Sequence, residues 1–141
     1  MSDPAAIARS FLEKFNSRDW DAFEAMLAPE YSYTGSDGTA NEGPAAGLVV
    51  PQMFAGAMSD AKADIQNIHV AGETAIVEFT GSGTHDGDFM GIAATGRKVS
   101  MHVVTILETK DGKITAEREI MDMAHMMQQL GVTESPAAAT A

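Results

Sequence analysis

From residue 64 to residue 122 the chain reads as one strand after another, and this run constrains the fold more than any other feature. Residues 64–70 and 73–85 alternate apolar and polar positions around a turn at Ala71 and Gly72, the pattern of a β-hairpin. Residues 99–108 are apolar on both faces, as a central strand is, and a tight turn at residues 110–113 leads into residues 114–122. Strands joined by such short turns pair antiparallel with their sequence neighbours. Gly81, Ser82 and Gly83 predict a bend, a bulge or a close backbone approach near the end of the second strand. Residues 86–96 form a loop whose apolar Phe89, Met90 and Ile92 suit a lid over a cavity mouth.

The half before this run is helical. Asp3 followed by Pro4 is a strong helix start, and Ile7, Phe11 and Phe15 keep helical spacing on one face. Asp19 can cap a second helix with Trp20, Phe23 and Leu27 as its buried stripe and Pro29 at its end. Residues 31–34 have period-2 character and predict a short strand, whereas the polar, glycine-bearing residues 36–43 predict a loop. Pro44 can open a third helix, and Pro51 either kinks it or begins its regular part. After the last strand, Met123, Met126, Met127 and Leu130 keep i, i+3, i+4, i+7 spacing, with Asp122 as N-cap and Gly131 as C′ residue. Residues 134–141 are a low-complexity tail, so the expected organisation is one domain over residues 1–132 and a flexible tail over 133–141. The fold class is α+β: a curved antiparallel sheet packed on three N-terminal helices, with a pocket between its concave face and those helices and a short C-terminal helix.

Composition removes several classes of function. A net charge of −11 is the wrong sign for a nucleic-acid binder and disfavours anionic membranes. No apolar run approaches the roughly 20 residues of a bilayer span, and no basic segment precedes an apolar core at the N-terminus, so a cytoplasmic protein is expected. Cysteine is absent, which removes disulfides, thiol nucleophiles and thiolate metal sites. His85, His102 and His125 stand at no metal-ligand spacing and read as structural or surface residues; no metal is expected. Ten methionines against two tyrosines and one tryptophan suit a core or pocket that adapts to greasy shapes.

The chemistry concentrates in residues 112–131, which carry Glu117, Glu119 and Asp122. Strand alternation puts Thr115, Glu117, Glu119 and Met121 on one face and Ala116, Arg118 and Ile120 on the other. Glu117 and Glu119 then stand about 7 Å apart along the strand. If that face lines an apolar cavity, desolvation and mutual repulsion raise at least one carboxyl toward neutrality, which suits acid/base work. The same spacing also describes a solvated strand face bearing a surface pair.

Residues 83–131, with residues 16–27, the Pro29, Glu30, Tyr31 run and the Gly43, Pro44 pair, resemble the SnoaL-like polyketide cyclases of the nuclear-transport-factor-2-like superfamily. The resemblance implies a cone-shaped sheet with a deep apolar pocket, a homodimer or homotetramer, and no cofactor. It also implies intramolecular aldol ring closure on a hydrophobic polyketide-like carbonyl substrate. The family's acid/base is an Asp three residues before the Asp that caps the terminal helix; Glu119 holds that position, and Tyr33 matches a polar pocket residue of the first strand. Val103 and Thr105 stand where the founding cyclases carry Gln and His. Glu119 and Tyr33 are therefore the expected catalytic pair. Glu117, Thr105, Val103, Phe79, Met101, Met121, Trp20, Phe89 and Met90 are expected to contact substrate.

Three readings follow: a cofactor-independent cyclase, acting as a lyase or isomerase; a limonene-type epoxide hydrolase or epoxide-opening cyclase; and a non-catalytic module that binds a hydrophobic ligand. For the second, Tyr33 and Glu119 match, while that family's Arg and second Asp fall on Phe79 and Gly81.

Overall fold

The computed structural model describes residues 3–132, so the tail expected at 133–141 lies outside the described residues. Helix α1 (Pro4–Ser17) begins as the sequence dictates: the Asp3 carboxylate accepts from the Ala5 N–H at 3.0 Å and Pro4 opens the first turn. It buries Ile7, Ala8, Phe11 and Leu12. Its C-terminal end is tied to the sheet by side chains rather than by packing alone. Asn16 both donates to and accepts from the Ala63 backbone, at 3.0 and 2.8 Å, and Arg18 donates to the Ser59 and Ala61 carbonyls.

Helix α2 (Trp20–Ala25), capped by Asp19, is shorter than its apolar spacing suggests. Leu27 and Pro29 belong instead to strand β1 (Leu27–Thr34), because Leu27 pairs with Ile114 across the sheet and the Ile114 N–H donates to the Met26 carbonyl at 2.9 Å. Pro29 falls where the register shifts between Leu27 and Ser32, a place where its missing N–H costs no ladder bond. The stretch expected to be loop contains a short strand, β2 (Ala40–Glu42), which pairs antiparallel with residues 32–34; its three exposed residues carry no apolar signal. Helix α3 (Ala46–Ala57) starts two residues after Pro44 and carries Pro51 in its interior, so helix runs on both sides of that proline.

Strands β3 (Lys62–Ala71), β4 (Thr74–Thr84), β5 (Lys98–Lys110) and β6 (Lys113–Met121) form the predicted meander. Asp111 and Gly112 both take positive φ, 52° and 80°, as a two-residue hairpin between Lys110 and Lys113 requires. The sheet is six-stranded, open and curved, in the order β2-β1-β6-β5-β4-β3. Its ladders are antiparallel except one: β1 runs parallel to β6. One residue departs from the predicted face of β6. Ile114 pairs with Thr109 and Ala116 with Glu108, so Thr115 is the extra residue of a bulge and bonds the Glu108 carbonyl, while Ile114 takes the buried place. Helix α4 (Met123–Gln129) closes the chain, with the Asp122 carboxylate accepting from the His125 N–H at 3.0 Å and Gly131 at φ 87° past its end.

Two glycines set how closely α3 and the sheet approach. A Cβ on Gly83 would lie 2.9 Å from Met58, which explains the glycine in that stretch: the strand continues, and the helix end sits on it. A Cβ on Gly47 would lie 2.8 Å from both Leu27 and the Tyr31 hydroxyl. Gly47→Ala is expected to destabilise the protein by about 1–3 kcal/mol through this overpacking. Urea melts of the two proteins test it, and coincident midpoints would show that Tyr31 and α3 have room to spare.

Candidate active site

The concave face of the sheet is set by strand alternation. On β5 the buried set is Val99, Met101, Val103, Thr105, Leu107 and Thr109; on β4 it is Ala75, Val77 and Phe79. The register brings Glu119 opposite Thr105, Glu117 opposite Leu107 and Met121 opposite Val103, so both carboxyls of β6 point to the same interior. Across the parallel ladder, β1 presents Tyr31 and Tyr33 to that interior. Helix α1 covers the face with Phe11, Leu12 and Phe15, and α3 adds Val50, Pro51 and Phe54. Between these layers lies an apolar cavity, whose empty space together with the solvent at its open mouth is about 760 Å³.

Within this greasy volume the polar groups form two neighbouring pairs. The Tyr33 hydroxyl donates to Glu119 Oε1 at 2.8 Å. The Tyr31 hydroxyl donates to Glu117 Oε1 at 2.7 Å, and the Thr105 hydroxyl donates to Glu117 Oε2 at 3.0 Å. Glu117 is buried and Glu119 is half-buried, and both line the cavity. Burial, reinforced by the Glu117 charge, pushes the Glu119 carboxyl up to about 8, and the Tyr33 hydrogen bond only partly offsets this. Burial also raises Glu117, against the pull of its bonds from Tyr31 and Thr105. Both tyrosine hydroxyls are raised, first by burial and then by the carboxylates beside them, so they remain donors throughout the working range of pH.

The predicted residues divide accordingly. Glu119, Tyr33, Glu117, Val103, Phe79, Met101 and Met121 all line the cavity. Thr105 does not reach it and acts behind Glu117 as a donor. Trp20 lies off the cavity, packed edge-on between Phe15 and Phe23. The loop at residues 86–96 is not a lid over the mouth. Its Asp86 and Gly87 N–H groups are bound by the Ala57 carbonyl at the end of α3, and Phe89 is buried against Phe54 at 5.4 Å between ring centroids. Met90 stands at the loop's tip, 63% exposed and at φ 51°, and touches no cavity.

Phe79 and Gly81, where an epoxide hydrolase of this fold would place charge, line the cavity without any. The residue that sequence reading passed over is Tyr31. Its signal is the period of two: it precedes Tyr33 by two residues and must share its face.

His85 is fully buried and its Nδ1 meets the Thr95 hydroxyl at 3.0 Å, while His69 and His102 flank Glu78 on the outer face of the sheet. Among the described residues no three His, Cys, Asp or Glu side chains come together in a way that would hold a metal ion, and no helix is long and apolar enough to cross a membrane.

Comparison with known proteins agrees with this geometry. The model of the family described as SnoaL-like polyketide cyclase matches residues 5–130. The aklanonic acid methyl ester cyclase AcmA of Streptomyces galilaeus is 27% identical over 136 residues, which cover 93% of this chain and 92% of that one. Among solved structures, IdmH of Streptomyces antibioticus superposes with a TM-score of 0.81 at 27% identity, covering 92% of this chain and 99% of that one. AclR of Streptomyces galilaeus superposes with a TM-score of 0.84 at 21% identity, covering 97% and 87%, and shares the fold.

The raised Glu119 carboxyl has a consequence for stability. Its folded value of about 8 exceeds the ordinary 4.5, so the folded state holds the proton more tightly than the unfolded chain does. The stability this group contributes is complete below pH 4.5 and is lost as pH rises through about 8. Urea midpoints measured from pH 5 to pH 9 are expected to fall across that window in the parent and to fall less in Glu119→Gln. Equal slopes in both proteins would mean that Glu119 titrates as an ordinary surface carboxyl.

Proposed function

The chain belongs to the SnoaL-like polyketide cyclase family, and we propose that it closes a ring of a hydrophobic polyketide-like substrate by intramolecular aldol addition, with Glu119 as acid/base and Tyr33 as hydrogen-bond donor. The observation that carries the reading is the 2.8 Å bond between Tyr33 and Glu119 inside an apolar cavity. A carboxyl pushed up to about 8 is a far stronger base, once ionised, than an ordinary Glu, and it is still partly ionised near neutral pH.

In this reading ionised Glu119 takes a proton from the carbon next to a substrate carbonyl. The electron pair of that C–H bond becomes the enolate and forms the new C–C bond to a second carbonyl of the same molecule. The π pair of that carbonyl moves onto its oxygen, and this alkoxide takes the proton back from Glu119. No atom is gained or lost. Tyr33 contributes at the moment charge moves. Once Glu119 is protonated it is a weaker acceptor, and the Tyr33 O–H is released to donate to the developing oxyanion. The hydroxyl's raised proton affinity keeps that hydrogen in place. The apolar walls from α1, α3 and the sheet lower the polarity around the pair, which strengthens both interactions. Glu in place of the family's Asp sets the reacting oxygen about one bond length further into the cavity, so the substrate must seat correspondingly higher above β6.

Aklanonic acid methyl ester, the compound named for the AcmA relative, is the first substrate to try. Glu119→Gln is expected to lower turnover by about 10²–10⁴-fold, and Tyr33→Phe by about 10²-fold. In the parent, kcat/KM is expected to rise with pH through an apparent value near 8. Product formation that survives Glu119→Gln intact would remove the acid/base assignment. Tight binding of polyketides with no product on long incubation would replace the cyclase reading by a binding module.

A further inference from the structure

The carboxyl pair of β6 is not symmetric. Both oxygens of Glu117 are met by protein donors, Tyr31 on Oε1 at 2.7 Å and Thr105 on Oε2 at 3.0 Å. Glu119 receives one, Tyr33 on Oε1 at 2.8 Å, and among the described residues its Oε2 bonds to no protein group. The donors on Glu117 are themselves held in place. Tyr31 is wholly buried under Gly47 of α3, where a Cβ would lie 2.8 Å from its hydroxyl, and Thr105 is 1% exposed on the central strand β5. Glu117, 6% exposed, is thus a fixed acceptor in a rigid cradle, while half-buried Glu119 lines the cavity with its Oε2 unbonded to protein among the described residues.

Each hydrogen bond donated to a carboxyl favours its ionised form, and two like charges this close in an apolar cavity resist ionising together. Two donors against one decide which member carries the charge. We propose that Tyr31 and Thr105 fix the negative charge of the pair on Glu117 and so leave the shared proton on Oε2 of Glu119, the oxygen that no protein donor meets among the described residues. Glu117 is a positioning residue in this scheme: it touches no reacting atom and acts by making Glu119 hold its proton to higher pH. The scheme rests on the acid/base reading of Glu119 for its role in turnover, but where the proton sits is a property of the free protein.

The titratable or charged groups facing the pair are few. Strand β1 supplies Tyr31 and Tyr33, the turn after it Asp37, and β3 supplies Lys62 at the cavity's edge, already paired with Asp64 at 3.1 Å. The cavity-lining residues of α1, α3, β4 and β5 contribute no charge.

The test is carboxyl NMR of protein labelled with ¹³C at Glu Cδ, titrated without substrate. Of the two cavity-lining resonances, the one that titrates late, near 8, is expected to vanish in Glu119→Gln and to persist in Glu117→Gln with its midpoint lower by about one pH unit or more. Thr105→Val, a smaller change should Glu117→Gln fold poorly, is expected to raise the Glu117 midpoint and lower that of Glu119. A late resonance that vanishes in Glu117→Gln instead, or a Glu119 midpoint unmoved by both substitutions, overturns the proposal. Because no turnover enters the readout, an inactive protein that titrates as expected would refute the cyclase reading and leave this inference standing.

Discussion

Two carboxyls on the concave face of one strand need compensation, and the rest of this structure is arranged around supplying it. An ionised carboxylate taken out of water without partners costs several kcal/mol, whereas each hydrogen bond from a hydroxyl to a charged group returns about 1.5–3 kcal/mol. Thr105 of the neighbouring β5 supplies one donor, and the two tyrosine donors come from β1, which reaches Glu117 and Glu119 only because it lies beside β6. That adjacency requires the one parallel ladder in an otherwise antiparallel sheet. In a simple meander β6 would be an edge strand with its carboxyls beside water.

The helices then convert a strand face into a site. Helix α1 lays its aromatic stripe over β3, β4 and β5, and it is locked in position where Asn16 pairs with the Ala63 backbone as another strand would. Helix α3 reaches β1 so closely that only glycine fits at position 47. Its far end is held by Asp86 and Gly87 of the loop after β4, with Phe89 packed behind Phe54. The loop that carries apolar residues therefore stiffens the cavity wall instead of closing its mouth. A wall held this way surrounds the two carboxyls with apolar side chains without any moving part.

Much of this was legible in the chain itself, and the exceptions have physical reasons. The caps at Asp3, Asp19 and Asp122 and the turns at residues 72 and 112 are local chemistry, read from neighbours in sequence. The shared face of Glu117, Glu119 and Met121 follows from strand period alone, and the bulge at Thr115 shows its limit: one inserted residue moves Ile114 to the buried side. Strand β2 and the β1–β6 ladder were not legible, because three exposed residues and a parallel partner more than 80 residues away leave no periodic trace. Trp20, Phe89 and Met90 illustrate the same boundary within the site. Apolar character marks a residue for burial, but whether it faces a cavity, a helix or solvent is decided by elements distant in sequence. Family resemblance pointed to Glu119 and Tyr33; only the fold shows that Tyr31 repeats the arrangement one step deeper.

The proposed chemistry depends on one event, the exchange of a proton between Glu119 and carbon inside this cavity. Deuterium incorporation reports that event directly, without requiring ring closure. A polyketide-like ketone incubated with the protein in D₂O is predicted to gain deuterium at the carbon next to its carbonyl, read by mass spectrometry, and Glu119→Gln is predicted to reduce that incorporation to the rate of buffer alone. Incorporation that proceeds equally in both proteins would contradict the account and move the chemistry away from β6.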